Sequence, residues 1–315
     1  MMENKCLYCY KVLAGDQDFH PTCSRRFFGS SIAPIIPYAM NQMAELAKNV
    51  VERSIAVPGV QPKLSMTLIK KVQKEPNGRL TVVGELGGNY IFKPPSDTYR
   101  EMPENEHLTM RIAEAFGIPV VQSSLVRLQS GELSYITKRI DRAANGEKIH
   151  MLDMFQITEA FDKYRSSMEK VGKALMTFSD NTLLDMVRLF ELTCFCFITG
   201  NNDMHLKNFS MIASSTGWML APAYDLLNVA IVNPEDQEEL ALTLEGKKRK
   251  LNAGHFERFG KELGLSNRQI DNIFARFSKN RVRADEWIEK SFLSDEMKAA
   301  YSKVLNQRYR QMGLS

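Results

Sequence analysis

The chain lacks a long uninterrupted apolar run. Its most apolar window, residues 183–198, is broken by Asp185, Arg188 and Glu191, so it predicts a buried helix and not a membrane span. Residues 1–6 offer no apolar core for a secretory signal, and none is expected. Cysteine is scarce and odd in number, five in 315 residues, which argues against a disulfide framework and for a reducing cytoplasm. An excess of one charge is missing too: 41 basic against 37 acidic residues leave a net charge of +4. That balance argues against a nucleic-acid surface spread over the whole molecule, and the basic run 247–250 reads as a solvated turn. The apolar fraction of 44% and charged fraction of 25% exclude wholesale disorder. A chain of this length can build two or three lobes with cores of their own.

What is present divides the chain in four. Residues 1–30 carry three of the five cysteines. A mostly helical linker is expected over 31–52, interrupted early by Pro34 and Pro37. A β-rich lobe follows over 53–140. Leu64, Met66 and Leu68 alternate with Ser65 and Thr67, one face apolar and one polar. Pro76-Asn77-Gly78 makes a turn, and further strands are expected at 80–83, 90–92, 120–128 and 134–138. A helix over 103–116 opens on Pro103 and stops at Gly117. The last segment, 141–315, is mostly helical, with short strands at 209–212 and 218–220 around a turn. The fold class is therefore α+β, a β-rich lobe before a helical one, as in two-lobed kinases.

The chemistry concentrates in Gly200-Asn-Asn-Asp203-Met-His205-Leu-Lys207-Asn208 and in Pro222-Ala-Tyr-Asp225. An Asp followed five residues later by an Asn, with a second acid some twenty residues on, is the spacing of a kinase catalytic base and its two magnesium ligands. Asp203 would accept a proton from a hydroxyl. Asn208 and Asp225 offer the hard oxygen ligands that magnesium prefers. His205 and Lys207 join this catalytic set, to bind phosphate or to pack. The alternative for each residue alone is that it caps a helix or a turn. Lys93 ends an alternating strand and suits a phosphate ligand, with Glu106, or else Glu104, as its partner. Gly59, Gln61 and Lys63, in Val57-Pro-Gly-Val-Gln-Pro-Lys63, form a glycine-poor loop that could cover phosphates. Lys138, Arg139 and Asp141 end the fifth strand, where backbone could meet an adenine or where a salt-bridged strand end could simply sit. Cys6, Cys9, His20 and Cys23 give the spacing C-x2-C-x10-H-x2-C, which fits a closed, structural zinc site. Cys194 and Cys196 fall inside the apolar window and read as core.

Taken together, these segments resemble the HipA family of bacterial toxin-type Ser/Thr kinases, and are similar above all to its short, HipT-like members that lack the usual N-terminal subdomain. The carrying residues are Val57 to Leu64, Ile91-Phe-Lys93-Pro, Glu104-Asn-Glu106-His, Arg139-Ile-Asp141-Arg142, Gly200 to Phe209 and Pro222 to Asp225. The resemblance implies an ATP- and magnesium-dependent protein kinase. Asp203 matches the family's catalytic Asp, Asn208 and Asp225 its metal ligands, Lys93 its phosphate-binding lysine, and the stretch after Thr137 its nucleotide hinge. It also implies a cytoplasmic toxin beside a HipB-like helix-turn-helix antitoxin, a protein substrate related to translation, a separate partner resembling the missing N-subdomain, DNA contacted only indirectly, and no membrane. The family silences itself by phosphorylating serines ahead of the loop glycine, but those positions hold Ala56 and Pro58 here, and Ser54 is the nearest serine. Two other readings use the same residues: an inactive kinase fold carrying a zinc-knuckle binding module, and a kinase for a lipid or small molecule.

Overall fold

A computed structural model describes residues 4–42, 63–69, 78–83, 88–143 and 145–314. The chain divides into two compact units. The first comprises residues 1–107, 121–146 and 290–292; the second comprises 108–120, 147–289 and 293–315.

The first unit is built on a five-stranded antiparallel sheet: β1 (Leu64–Ile69), β2 (Arg79–Val83), β3 (Tyr90–Lys93), β4 (Ser123–Arg127) and β5 (Leu133–Lys138), in the order β2-β1-β3-β5-β4. Alternation fixes which face is buried, because successive side chains leave a strand on opposite sides. Leu64 and Met66 are buried on β1, and Tyr90 and Phe92 on β3. Leu68, expected in the core, is only half-buried. The register sets Lys93 opposite Tyr135. Residues 31–39 are irregular instead of helical. Pro34 and Pro37 hold this stretch out of a helix, and Ile35 bridges Arg79 in parallel at the sheet edge. The rest of the expected linker, 43–52, lies outside the described residues, as do Pro76 and Asn77 of the expected turn. The N-terminal segment carries the helix α1 (Pro21–Phe28), closed by Gly29 at φ +77°. Residues 4–30 belong to the same unit as the sheet and share a hydrogen bond with it, from the Leu125 N–H to the Leu7 carbonyl at 3.2 Å.

The helix α2 (Met102–Ala115) runs within a residue of its expected bounds. In the second unit, α3 (Met154–Ile157), α4 (Met168–Phe178) and α5 (Thr182–Ile198) are followed by the hairpin β7 (Ser210–Ser214) and β8 (Gly217–Leu220). A strand that was not expected, β6 (Met151–Asp153), adds to β7 and makes the sheet three-stranded. Its three residues are too few to show a period. Four helices complete the unit: α6 (Val229–Val232), α7 (Ala253–Glu262), α8 (Asn267–Lys290) and α9 (Asp295–Gln311).

The centre of the second unit is α5, apolar nearly all round and therefore enclosed. Phe190, Phe195 and Phe197 are fully buried. Phe195 meets Phe116 edge-on at 5.6 Å, and Phe197 lies 4.9 Å from Phe256. The charges that interrupt the window are satisfied. Asp185, fully buried, accepts from the Ser179 hydroxyl and the Leu220 N–H at 2.7 Å each, and Glu191 pairs with Arg276. Only the first turn is open, where Leu183 and Leu184 are exposed. Cys194 and Cys196 are buried, and burial pushes both thiols up, as expected of core cysteines. No helix among the described residues is long and apolar enough to cross a membrane.

Candidate active site and metal centre

The loop after α5 is set by one glycine. Gly200 has φ +68°, and a Cβ there would lie 2.8 Å from both Asn228 Oδ1 and Val304 Cγ1. Only glycine closes the helix in this left-handed conformation against such neighbours. The chain then turns through Asn201-Asn202-Asp203. The Asp203 N–H donates to Asn201 Oδ1 at 3.2 Å, and the Asp203 carbonyl accepts from the His205 N–H at 2.8 Å and from Asn208 Nδ2 at 3.0 Å. Asn208 thus spends its amide nitrogen on the loop itself and keeps Oδ1, the atom a hard cation would take.

Asp203 is half-buried. Its Oδ1 accepts from the Tyr164 hydroxyl at 2.8 Å, while Oδ2 has no hydrogen-bond partner among the described residues. Burial pushes the Tyr164 phenol up, and the hydrogen bond to Asp203 adds to the effect. The preceding residue reaches the same loop: Lys163 Nζ lies 2.9 Å from His205 Nε2, and the Leu206 N–H donates to the Lys163 carbonyl at 3.1 Å. An ammonium can only donate, so His205 Nε2 accepts and the ring proton belongs on Nδ1. That buried Nδ1 has no hydrogen-bond partner among the described residues. Burial pulls the His205 imidazole below its ordinary value; Asp203 and Asp225 oppose this and Lys163 reinforces it. Asp203, His205, Asp225 and Lys163 therefore form one electrostatic group, which Tyr164 joins through Asp203.

Asp225 adopts φ +60°, a conformation that asparagine and aspartate tolerate better than most residues and that recurs at functional sites. The neighbouring Tyr224 hydroxyl bonds Ser210 Oγ at 2.5 Å and donates to the Lys207 carbonyl at 3.0 Å. The Lys207 side chain is exposed and lies 4.8 Å over the Phe155 ring. It also bears on Asp153, whose carboxyl burial pushes up and Lys207 draws back. Lys207 thus packs against Phe155 beside Asp153.

In the first unit, Lys93 is buried and donates to both oxygens of Glu106, at 2.7 and 2.8 Å. Its ammonium also lies 5.4 Å over the Tyr135 ring. Glu106 is the partner, and Glu104 is left in a half-buried place where burial pushes its carboxyl up to about 7. The strand end is a closed ionic knot. Asp141 takes Arg139 on both oxygens, at 2.9 and 2.7 Å, and Arg142 at 2.6 Å. Burial alone would push Asp141 up, but Arg139 and Arg142 hold it below the usual carboxylate range. Lys138 turns to Gln122 Oε1 at 2.8 Å and lies 5.5 Å over Phe27. Lys63 is exposed; Gly59 and Gln61, with Ser54, Ala56 and Pro58, lie outside the described residues.

Cys6, Cys9, His20 and Cys23 come together, their ligand atoms all within 4.8 Å of one another. His20 Nδ1 lies 3.5 Å from Cys9 Sγ and 3.9 Å from Cys23 Sγ, and its Nε2 contacts the Val12 carbonyl at 3.1 Å. A hydrogen bond from Cys9 pulls the Cys6 thiol down to about 4, while Cys9 and Cys23 are raised. Three sulfurs and one imidazole are the donor set of a structural zinc site.

Sequence reasoning missed Lys163, Tyr164 and Asp153. A Lys-Tyr pair in a polar loop forty residues before Asp203 carries no spacing signal, and only folding brings it to the catalytic loop.

The fold is a kinase-like α+β one, and each unit carries its own constellation: a strand lysine paired with a helix glutamate in the first, and an Asp-Asn loop with a following acid in the second. The chain belongs to the HipA-like C-terminal domain family, whose profile matches residues 55–284. It is 30% identical over 275 residues to a protein of Sinorhizobium fredii provisionally named a kinase, covering 82% of this chain and 65% of that one. It is 23% identical over 253 residues to the serine/threonine-protein kinase toxin HipA of Shewanella oneidensis, covering 73% and 56%. The chain thus spans about two thirds and just over half the length of these two relatives. The solved complex of Shewanella oneidensis HipA with HipB and operator DNA shares the fold, with a TM-score of 0.67 and 23% identity over 85% of this chain and 71% of that one.

Proposed function

We propose that this protein is an ATP- and magnesium-dependent Ser/Thr protein kinase of the HipA toxin type. The observation that carries the reading is the pairing of a half-buried carboxylate with a ligand-ready amide: Asp203 keeps Oδ2 without a partner while Asn208, five residues on, keeps Oδ1. Asp203 would orient an acceptor hydroxyl and take its proton. Asn208 and Asp225 would hold magnesium, which supplies charge neutralisation on the phosphates when bound. Lys93, fixed by Glu106, would contact nucleotide phosphate. The knot at Arg139, Asp141 and Arg142 would stiffen the hinge backbone. The Cys3His cluster would hold zinc. The names of the relatives above, a serine/threonine-protein kinase toxin and its complex with HipB, support a HipB-like antitoxin and a toxin–antitoxin role; the substrate would be a cytosolic protein.

The test is incubation of purified protein with labelled ATP, magnesium and host lysate, beside an Asp203→Asn control. A labelled serine- or threonine-containing protein that appears only with the intact enzyme supports the reading. Equal labelling with both proteins would sink it. Labelled lipid or small metabolite in place of protein would transfer the same machinery to a different acceptor.

A further inference from the structure

We infer that the Cys3His knuckle is the metal-dependent positioning element of the Lys93–Glu106 pair, so that zinc occupancy sets nucleotide affinity. This rests on the kinase reading above.

The donor set fits zinc on three counts. Tetrahedral zinc with sulfur at about 2.3 Å spaces its ligands by roughly 3.8 Å, and the Cys9–His20 and Cys23–His20 separations are 3.5 and 3.9 Å. The contact of His20 Nε2 with the Val12 carbonyl commits the Nδ1 lone pair to the sulfurs, as outer-shell partners do for metal-bound histidine. Residues 4–30 are also too few to hold a core without a cross-link, and their rings Tyr10, Phe27 and Phe28 are buried.

Those rings lead to the ion pair by two routes within the first unit. Tyr10 directly follows the ligand Cys9, is held at φ +62°, and its N–H donates to the Cys6 carbonyl at 2.9 Å. Its hydroxyl meets His107 Nδ1 at 2.8 Å in a buried contact, with the two rings edge-on at 5.2 Å. His107 is the residue after Glu106. On the other route, α1 carries the ligand Cys23 and ends in Phe27 and Phe28, which lie 5.8 and 6.3 Å from the Tyr90 ring. Tyr90 starts the four-residue strand that ends in Lys93. One ligand pair thus braces the glutamate and another ligand braces the lysine. Releasing the metal removes the constraint that holds Tyr10 in a left-handed conformation, and both braces loosen together.

The experiment measures zinc content by mass spectrometry and the dissociation constant of a magnesium-bound non-hydrolysable ATP analogue, on full-length wild type, Tyr10→Phe, Cys9→Ser and Lys93→Met. Hydrogen exchange over residues 90–93 and 104–107 is followed without nucleotide. One zinc per wild-type chain is expected. Tyr10→Phe should keep zinc, weaken the analogue about tenfold and speed exchange at 104–107; Cys9→Ser should lose zinc and weaken the analogue further. Wild type without stoichiometric zinc overturns the inference, as does Tyr10→Phe with unchanged affinity and exchange. If wild type binds no analogue, the kinase reading falls, and exchange in Tyr10→Phe still decides whether the knuckle braces the pair.

Discussion

Lys93 and Asp203 each carry a charge on ordered backbone, but their surroundings differ in kind. Lys93 is 4% exposed and gives both oxygens of Glu106 a hydrogen bond under 3 Å. Asp203 is half-buried and meets a tyrosine hydroxyl on one oxygen only. The first charge is desolvated and answered by a partner; the second keeps part of its hydration and one oxygen in reserve. Charges of the first kind are strongly coupled to stability, because removing either partner strands the other in a low dielectric. Charges of the second kind can be changed with little effect on folding. In the proposed kinase reading, the difference means that one centre would serve structure and binding together, while the other would be set aside for chemistry.

The largest effect should come from the open centre. Asp203→Asn is expected to lower phosphoryl transfer by about 10²- to 10⁴-fold, with stability changed by no more than about 0.5 kcal/mol, read from initial rates and denaturant melts. A melt displaced as far as that of Lys93→Met would break the comparison. Lys93→Met leaves Glu106 buried without its ammonium and should cost about 3–5 kcal/mol of stability. The double variant Lys93→Met/Glu106→Leu should regain much of that stability while remaining inactive, which separates the pair's structural part from its binding part. Tyr164→Phe removes one hydrogen bond to a carboxylate and should change kcat by about tenfold or less. Its effect should fall on kcat more than on the KM for ATP; an equal shift in both would assign Tyr164 to nucleotide binding instead.

The smallest effect is in pH. Glu104 has its carboxyl pushed up by burial from 4.5 to about 7. The folded state therefore binds this proton more tightly than the unfolded chain does. That contribution to stability is complete below pH 4.5 and is lost as pH rises through about 7. Glu104→Gln should flatten this part of the stability profile between those limits, measured by melts at a series of pH values. An unchanged slope would place the ionised group in water.

Much of this was legible in residue pattern. The strand alternation at 64–68 and 90–93, the helix stop at Gly117 and the enclosed helix before Gly200 depend on local periodicity, and all recur within a few residues. The Asp203–Asn208 spacing and the Cys6, Cys9, His20 and Cys23 set were readable for the same reason: each sits on one short stretch. The irregular run at 31–39 departs from the expected helix because a helix-breaking proline does not say what replaces the helix; pairing of Ile35 with Arg79 does. Strand β6 was invisible because it exists only through its pairing with β7.

Sequence alone determined most of the elements, the residue types of the two centres and the Cys3His spacing, since each depends on neighbours close in the chain. Tertiary structure alone decided that Lys93 takes Glu106 over Glu104, that Tyr164 meets Asp203, that Lys138 faces Gln122, and that Tyr10 reaches His107. Those contacts join residues 13 to 97 positions apart, beyond what any local pattern spans, and the burial that makes them strong or costly is a property of the packed chain.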